Sequence, residues 1–443
     1  MSLTRAQLDA IVEALTLVLP ARAPADAQLR QFFQDHRSLG SRERALVADT
    51  VYAALRRRRL LEHVTPAGTP REMALATLVK LQGVGLSQIE SALSGEEREW
   101  LSKLRAMDID TLPFEIRADL PDWVIERLRA QMDDATLLAL ARGLQQPAPL
   151  DLRVNTMKAP REAVLDRLAY DELRAQPTRH SPVGVRVQGK PALNKHPMFL
   201  DGAVEVQDEG SQLLGMLVDP RRGEMVVDFC AGAGGKTLQM GAAMKSTGRL
   251  YAFDVSDKRL ANLAPRLKRS GLSNVFPQRI ANENDSKVKR LRGKIDRVLV
   301  DAPCTGLGTL RRNPDLKMRQ DPAALKELND KQRSILASAA SLVKPGGRLV
   351  YGTCSLLVEE NERIVDAFLA EHPDFALVPA ADVLKKHGIN LAGTAEYLRL
   401  LPHVHDTDGF FAAVLERTQA SKPMHPDAAP IAADAPREEK NGS

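Results

Sequence analysis

Three cysteines stand in the 443 residues, Cys230, Cys304 and Cys354. Two of them are placed where a thiol could do chemistry. Cys304 closes Asp301-Ala-Pro-Cys304, and Cys354 is the centre of Thr353-Cys354-Ser355. A thiolate is a strong nucleophile, and a neighbouring acid or second thiol can handle the protons that its addition and departure require. Pro303 fixes its own φ and stiffens the turn, holding Cys304 near Asp301. A single cysteine at the end of a strand is usually a small buried hydrophobe. Two out of three at such positions, beside Asp301, favour chemistry instead.

The third, Cys230, lies in Asp228-Phe-Cys-Ala-Gly-Ala-Gly-Gly-Lys-Thr237. Gly232, Gly234 and Gly235 allow a tight turn and close approach of a ligand to the backbone. The helix that follows offers free N–H groups at its start. The spacing is not that of a phosphate-binding GxxxxGK[ST] loop, because Cys230 stands where its first glycine belongs. It is not GxGxxG either, because Thr237 takes the last position. Asp254 ends the next apolar run, about 20 residues further on, where an acid suits the two hydroxyls of a ribose. Glycine loop and acid together point to a nucleoside-bearing cofactor. Two thiols beside such a cofactor match one demanding reaction, substitution at carbon 5 of a pyrimidine. That carbon is a poor nucleophile until a thiolate adds at carbon 6 and makes it enamine-like. Asp301 can contact the ring, donating if protonated or accepting from an exocyclic amine if ionised. The second thiol can help remove the carbon-5 proton.

The elements needed to position these groups can be read from periodicity. Residues 223–417 alternate short apolar strands (225–229, 250–253, 296–300, 348–352 and 410–415) with helices (257–269, 322–342 and 358–371). That alternation predicts a Rossmann-like α/β domain with a mainly parallel buried sheet. Each chemical motif falls just past the carboxyl end of one of its strands, where open α/β sheets bind ligands. Residues 146–222 read as a small α+β module, with strands at 151–156, 183–188 and 203–208 and helices at 160–169 and 211–218. Residues 1–145 read as an all-α domain. Its clearest helix starts at Ser41 as N-cap, with Glu43 in the first turn, and runs into Arg56–Arg59; further helices are expected at 71–82, 86–104 and 121–143. Residues 418–443 are poor in large apolar groups and are expected to form a disordered tail.

These motifs resemble those of the Sun-type RNA 5-methylcytosine methyltransferases. The resemblance covers residues 150–416 and rests on DFCAGAGGKT (228–237), Asp254 with Arg259-Leu260, VDAPCTGLGTLRRNPDLK (300–317), KPGGRLVYGTCSLLVEEN (344–361) and DGFFAAVL (408–415), preceded by RVNT (153–156) and EVQDEGSQL (205–213). It implies that Cys354 is the nucleophile on cytosine carbon 6, that Cys304 assists product release and that Asp301 contacts the base. It implies S-adenosylmethionine as cofactor, held by Cys230, Ala231, Gly232, Ala233, Gly234, Gly235 and Lys236 with Asp254, Arg259 and Asp301. Cytosine methyltransferases acting on DNA resemble this scheme but carry the nucleophile in the proline-cysteine motif, which makes Cys304 the runner-up. The family's usual acid near the adenine is absent from Gln278–Asn282, leaving Asn282 or Asp285 to serve. The family often has proline before its paired glycines, where this loop reads Ala231-Gly-Ala-Gly234. The N-terminal helices resemble an antitermination-factor bundle found in bacterial members, which makes ribosomal RNA the expected substrate and transfer RNA the alternative.

Composition limits the other possibilities. Net charge is +5, compatible with a polyanionic partner. Arg56–Arg59, Arg311 and Arg312 are the candidates for phosphate contacts. Aromatic residues make up 4% of the chain, so phosphate and shape contacts are expected over extensive base stacking. No apolar run is long enough for a membrane helix, and the N-terminus lacks a signal-peptide pattern, so a cytoplasmic, monomeric protein is expected. No Cys-x-x-Cys or Cys/His cluster calls for a metal. A methyltransferase of the same fold acting on another substrate would not need both cysteines. A non-catalytic ribosome-assembly scaffold would need neither the cysteines, nor Asp301, nor the glycine loop.

Overall fold

The structure is a computed structural model and describes residues 3–189 and 191–418; the expected tail lies outside them from residue 419 onward. The chain begins with helices at Arg5–Val18, Ala25–Asp35, Ser41–Arg56, Arg58–Val64, Pro70–Ala76 and Gly95–Ala106. Their apolar faces close a first core whose buried members run from Leu3 to Leu104. The cap of the third helix is one residue earlier than expected. Gly40, not Ser41, is the N-cap, because the Glu43 carboxylate reaches back to accept its N–H at 2.9 Å. The same helix stops at Arg56 instead of running through the arginine run. The Asp119 carboxylate accepts from the N–H groups of Arg59 and Leu60, at 3.1 and 3.0 Å, and starts a new helix there. Helices at Phe114–Ala118, Asp122–Arg129 and Asp134–Gln145 follow, so the single segment expected at 121–143 is two helices. They join a different core, shared with Leu307, Leu310, Leu325, Leu356 and Leu357. This seam core lies directly behind the loops that follow Cys304 and Cys354.

A four-stranded antiparallel sheet comes next: β1 (Leu150–Val154), β2 (Ala175–Pro177), β3 (Gly184–Val187) and β4 (Val204–Val206), in the order β2-β3-β1-β4. The remaining strands form one large sheet. They are β5 (Met225–Asp228), β6 (Arg249–Asp254), β7 (Val275–Arg279), β8 (Ile295–Asp301), β9 (Val343–Thr353), β10 (Phe375–Val378), β11 (Leu398–Leu400) and β12 (Phe410–Arg417). The order is β10-β12-β9-β8-β5-β6-β7, with β11 paired to β12. β5 to β9 are mutually parallel, and β12 runs antiparallel between β9 and β10. This is the Rossmann-like, mainly parallel α/β architecture expected. β7 carries no clear alternation because it is an edge strand with Pro277 inside it, a position where a missing N–H costs no ladder bond.

Both faces of the sheet are covered, which explains the continuous apolar runs. Along β12, Phe410, Ala412 and Val414 pack on one side and Phe411, Ala413 and Leu415 on the other. The strand order puts the ends of β8 and β9 side by side. Asp301 pairs with Gly352 in register, and the two cysteine motifs leave the sheet as neighbours.

Candidate active site

The Cys304 and Cys354 sulfurs are 3.4 Å apart, close enough to share a proton. The hydrogen bond to Cys354 comes first, and burial second, in pushing the Cys304 thiol well above its ordinary range. Either sulfur can donate the proton that lies between them. The approach is made possible by backbone. The Gly308 N–H donates to the Cys354 carbonyl at 2.8 Å, and the Gly409 N–H donates to the Gly308 carbonyl at 2.8 Å. A Cβ at Gly308 would fall 2.2 Å from the Gly409 oxygen, so only glycine lets these three segments meet.

A buried network around Glu360, which is fully shielded from solvent, fixes the residues flanking both cysteines. Its carboxylate accepts from the Thr305 N–H at 2.8 Å, the Thr305 hydroxyl at 2.5 Å, Gln332 Nε2 at 3.0 Å and the Ser355 hydroxyl. Gln332 also donates to the Pro303 carbonyl at 2.9 Å. The Thr353 hydroxyl donates to Asn361 Oδ1 at 2.6 Å. Residues 358–361, read as the first turn of a helix, form turns instead, and the helix starts at Glu362. Those turns direct Glu360 inward. Glu360 and Gln332 were absent from the sequence reading. The available signal was an acid in a stretch already carrying the Thr-Cys-Ser motif.

Lys236 reaches across from the glycine loop. Its Nζ donates to Asp301 Oδ2 at 2.8 Å and lies 5.5 Å from the centre of the Phe410 ring. Burial opposes its charge, but attraction and a hydrogen bond to Asp301, with a further pull from Cys354, raise its pKa overall. The ammonium is thus a fixed positive charge beside the nucleophile candidate. Cys230 differs from the other two thiols. Burial, helped by the carboxylates of Asp228, Asp301 and Asp254, keeps its pKa far above the ordinary range, so it stays a neutral packing group.

The glycine loop and Asp254 form one unit. Asp254 Oδ2 accepts the Gly232 N–H at 2.9 Å, Oδ1 accepts the Ser256 N–H at 2.8 Å, and Arg259 lies 3.8 Å away with an exposed side chain. The Ala231 N–H donates to the Phe253 carbonyl at 2.8 Å, and the Ala233 carbonyl accepts from Arg266 at 2.6 Å. Gly234 has φ +84°, and a Cβ there would strike Leu263 at 2.1 Å. Gly232, at φ +57°, would meet nothing within 4 Å, so open space lies against the loop. Below it, Asp228 accepts from Thr237 at 2.6 Å while its Oδ1 is buried without a partner. Burial lifts this carboxyl to about 7. Open space against a glycine turn, an acid at the neighbouring strand end and an unmatched carboxyl oxygen suit a nucleoside carrying an ammonium group. Asn282 and Asp285 are turned to their own loop: Asn282 Oδ1 accepts the Asn284 N–H at 2.8 Å, and Asp285 accepts those of Ala281 and Lys287, each at 2.8 Å.

The arginines expected to meet phosphates are occupied inside the molecule. Arg56 donates to the Arg311 carbonyl at 2.9 and 3.1 Å. Arg57 lies 3.4 Å from Asp119, and Arg59 bonds Asp122 at 2.7 Å. Arg58 donates to the Leu19 carbonyl at 2.7 Å. Arg311 bonds Asp406 at 3.1 Å, and Arg312 spans Asp408 and Asp208 at 2.6 and 2.8 Å. Lys317, on the segment that follows Cys304, completes this seam by bonding Asp119 at 2.7 Å. Arg56 and Lys317 fasten the helical domain to the catalytic one, while Arg57, Arg58 and Arg59 bond within the helical domain, a structural use of charge that spacing alone does not reveal.

A family model described as 16S rRNA methyltransferase RsmB/F matches residues 215–416. A second, described as the ferredoxin-like domain of RsmF/B-like methyltransferases, matches residues 120–194 and so takes in the last N-terminal helices as well as β1 to β3. The chain is 35% identical over 343 residues to the probable ribosomal RNA small subunit methyltransferase B of Synechocystis sp., covering 77% of this chain and 76% of that one. It is 32% identical over 362 residues to the ribosomal RNA small subunit methyltransferase B of Sodalis glossinidius, covering 81% and 80%. The crystal structure of PH0851 superposes with a TM-score of 0.77 at 28% identity, over 94% of this chain and all of that one. A methyltransferase homologue from Pyrococcus horikoshii gives 0.58 at 29% identity, over 70% of this chain and all of that one.

Proposed function

The chain belongs to the RsmB/F family of ribosomal RNA small-subunit methyltransferases, and from that premise we propose that it methylates carbon 5 of a cytosine in 16S ribosomal RNA through a covalent Cys354 adduct. S-adenosylmethionine is the methyl donor of this family and supplies an electrophilic methyl group. The glycine loop from Cys230 to Lys236, with Asp254 and Arg259, would hold it.

The observation that carries the reading is the thiol pair, 3.4 Å apart beside the Lys236–Asp301 ion pair. The two sulfurs have different tasks. The raised Cys304 thiol is suited to handling a proton, whereas Cys354 lies close enough to the Lys236 ammonium to attract it. The Cys354 sulfur adds to carbon 6 of the cytosine, and the ring π electrons move toward N3, which takes a proton relayed from the Lys236 ammonium through Asp301. Carbon 5 then carries the electron density that bonds the methyl group. With Cys354 bonded to carbon 6, Cys304 releases its own proton to water and takes the carbon-5 proton; the carbon–sulfur bond breaks, the ring double bond reforms and Cys354 leaves as thiolate. The base must leave its stack to reach this edge.

The test is a pair of substitutions assayed with labelled S-adenosylmethionine and unmodified ribosomal and transfer RNA. Cys354→Ala should abolish transfer while cofactor binding survives. Cys304→Ala should accumulate a protein–RNA adduct that withstands denaturing electrophoresis. Full turnover in Cys354→Ala would overturn the nucleophile assignment. Normal turnover without adduct in Cys304→Ala would overturn its release role. Label recovered as 5-methylcytidine from ribosomal RNA rather than transfer RNA would fix the substrate.

A further inference from the structure

We propose that Glu360 is a positioning residue for the two thiols, setting their separation by holding the residue that follows each of them. The inference rests on the covalent reading above for its kinetic consequence, but not for its geometry. Cys304 and Cys354 are 50 residues apart in sequence and sit on loops, where side-chain placement is least constrained. Each loop has one anchor in the parallel sheet and needs another beyond the cysteine. Glu360 supplies it for both, because Thr305 and Ser355 each donate to the same carboxylate. Their hydroxyls are 3.3 Å apart, so the two chains are joined directly behind the sulfurs.

The choice of residue type is informative. Glu360 is fully buried and its carboxylate partners are all neutral donors: one N–H, two hydroxyls and one amide. A buried carboxylate is an expensive way to join two loops, since an apolar contact of similar volume is often as stable or more so. What a carboxylate adds is directional geometry, with several acceptor sites fixed in one plane. Gln332 extends the same hold to Pro303, and Asn361, the next residue, holds Thr353. Residues 303, 305, 353 and 355 are thereby all tied down, leaving the two cysteines between them with little freedom.

The test uses the full chain and two variants with different predictions. Glu360→Gln can keep the arrangement: its amide oxygen accepts from the Thr305 N–H and Gln332, and its NH₂ donates to the two hydroxyls once they rotate. Glu360→Ala cannot. Cross-linking of Cys304 to Cys354 by dibromobimane, mapped by mass spectrometry without RNA or cofactor, reads the sulfur separation directly. Glu360→Ala should slow that cross-linking and lower kcat by about 10²-fold or more, the usual penalty of misplaced groups. KM for RNA and affinity for S-adenosylmethionine should stay within about 3-fold, because binding contacts are untouched. Glu360→Gln should restore the cross-linking rate and most of kcat. Wild-type cross-linking in Glu360→Ala, or equal losses in both variants, would overturn the proposal. Should Glu360→Ala fail to fold, Ser355→Ala and Thr305→Val each remove one tether; unchanged cross-linking in both would overturn it as well. Should the wild-type protein methylate no cytosine, the covalent reading falls while the cross-linking comparison still decides the role of Glu360.

Discussion

The domain seam and the catalytic edge are each organised around a carboxylate with no solvent exposure, and they compensate it differently. At the seam, Asp119 faces Lys317 at 2.7 Å and Arg57 at 3.4 Å, in addition to the two N–H groups of the helix it starts. At the catalytic edge, Glu360 faces only neutral donors, and Asp228 has a single hydroxyl. Cationic partners at the seam give a lock whose parts cannot be removed singly. Neutral partners at the edge place atoms without adding a competing cation, so Lys236 remains the ammonium that acts on the thiols. One region uses charge for attachment, the other for orientation.

The seam should show the largest response to substitution. Lys317→Met leaves Asp119 buried with half of its compensation and should cost roughly 3–5 kcal/mol, as expected for breaking a buried pair. Adding Asp119→Asn should recover part of that loss. Urea unfolding followed by the fluorescence of Trp100 and Trp123 measures both. Equal costs for single and double variants would mean that the two groups do not act as a lock.

Lys236→Met tests the other side. Turnover should fall by roughly 10²-fold, at the lower end of what positioned proton-handling groups contribute. The thermal midpoint should fall less than for Lys317→Met, because Asp301, the carboxylate left behind, is partly exposed. A large stability loss with normal turnover per folded molecule would reverse the comparison.

A pH-dependent effect concerns Asp228. Burial raises its carboxyl to about 7, so the folded chain holds a proton that the unfolded chain releases near 4. The folded state therefore binds more protons between these values, and stability falls as pH rises from about 4 to about 7, then levels off. The slope from this group is at most about 1.4 kcal/mol per pH unit. Asp228→Asn should lack that slope, and melting curves at several pH values should converge at acid pH and separate above 7. Parallel curves would show that Asp228 is not the group responsible.

Sequence reading went furthest where side chains report directly on backbone. The parallel sheet, the ends of β5, β6, β8 and β9, and the meeting of the two cysteine motifs followed from short apolar runs punctuated by glycine, proline and acid. It fell short where long-range partners decide the outcome. Arg56–Arg59 looked like a phosphate grip because nothing local indicates that Asp119 starts a new helix there and pairs with Arg57. Nothing local singles out Glu360, since glutamate is rarely buried without a partner and its partners lie 55, 28 and 5 residues off. Asn282 was named by position along the strand, yet its side chain closes its own turn. The edge strand β7 was obscured by Pro277.

The place of β12 also bears on when this protein becomes reactive. Its first residues lie against the Cys354 end of β9, and Gly409 closes onto Gly308, so residues near the C-terminus complete the wall behind both sulfurs. The first helical core, by contrast, draws all its buried members from residues 3–104. At the ~5–20 residues per second of synthesis, roughly 15–60 s pass between completion of those two stretches. Through that interval a nascent chain carries the buried residues of that first core, then both cysteines, without the β12 contacts behind them. The wall behind the two sulfurs is completed only after both cysteines have been made.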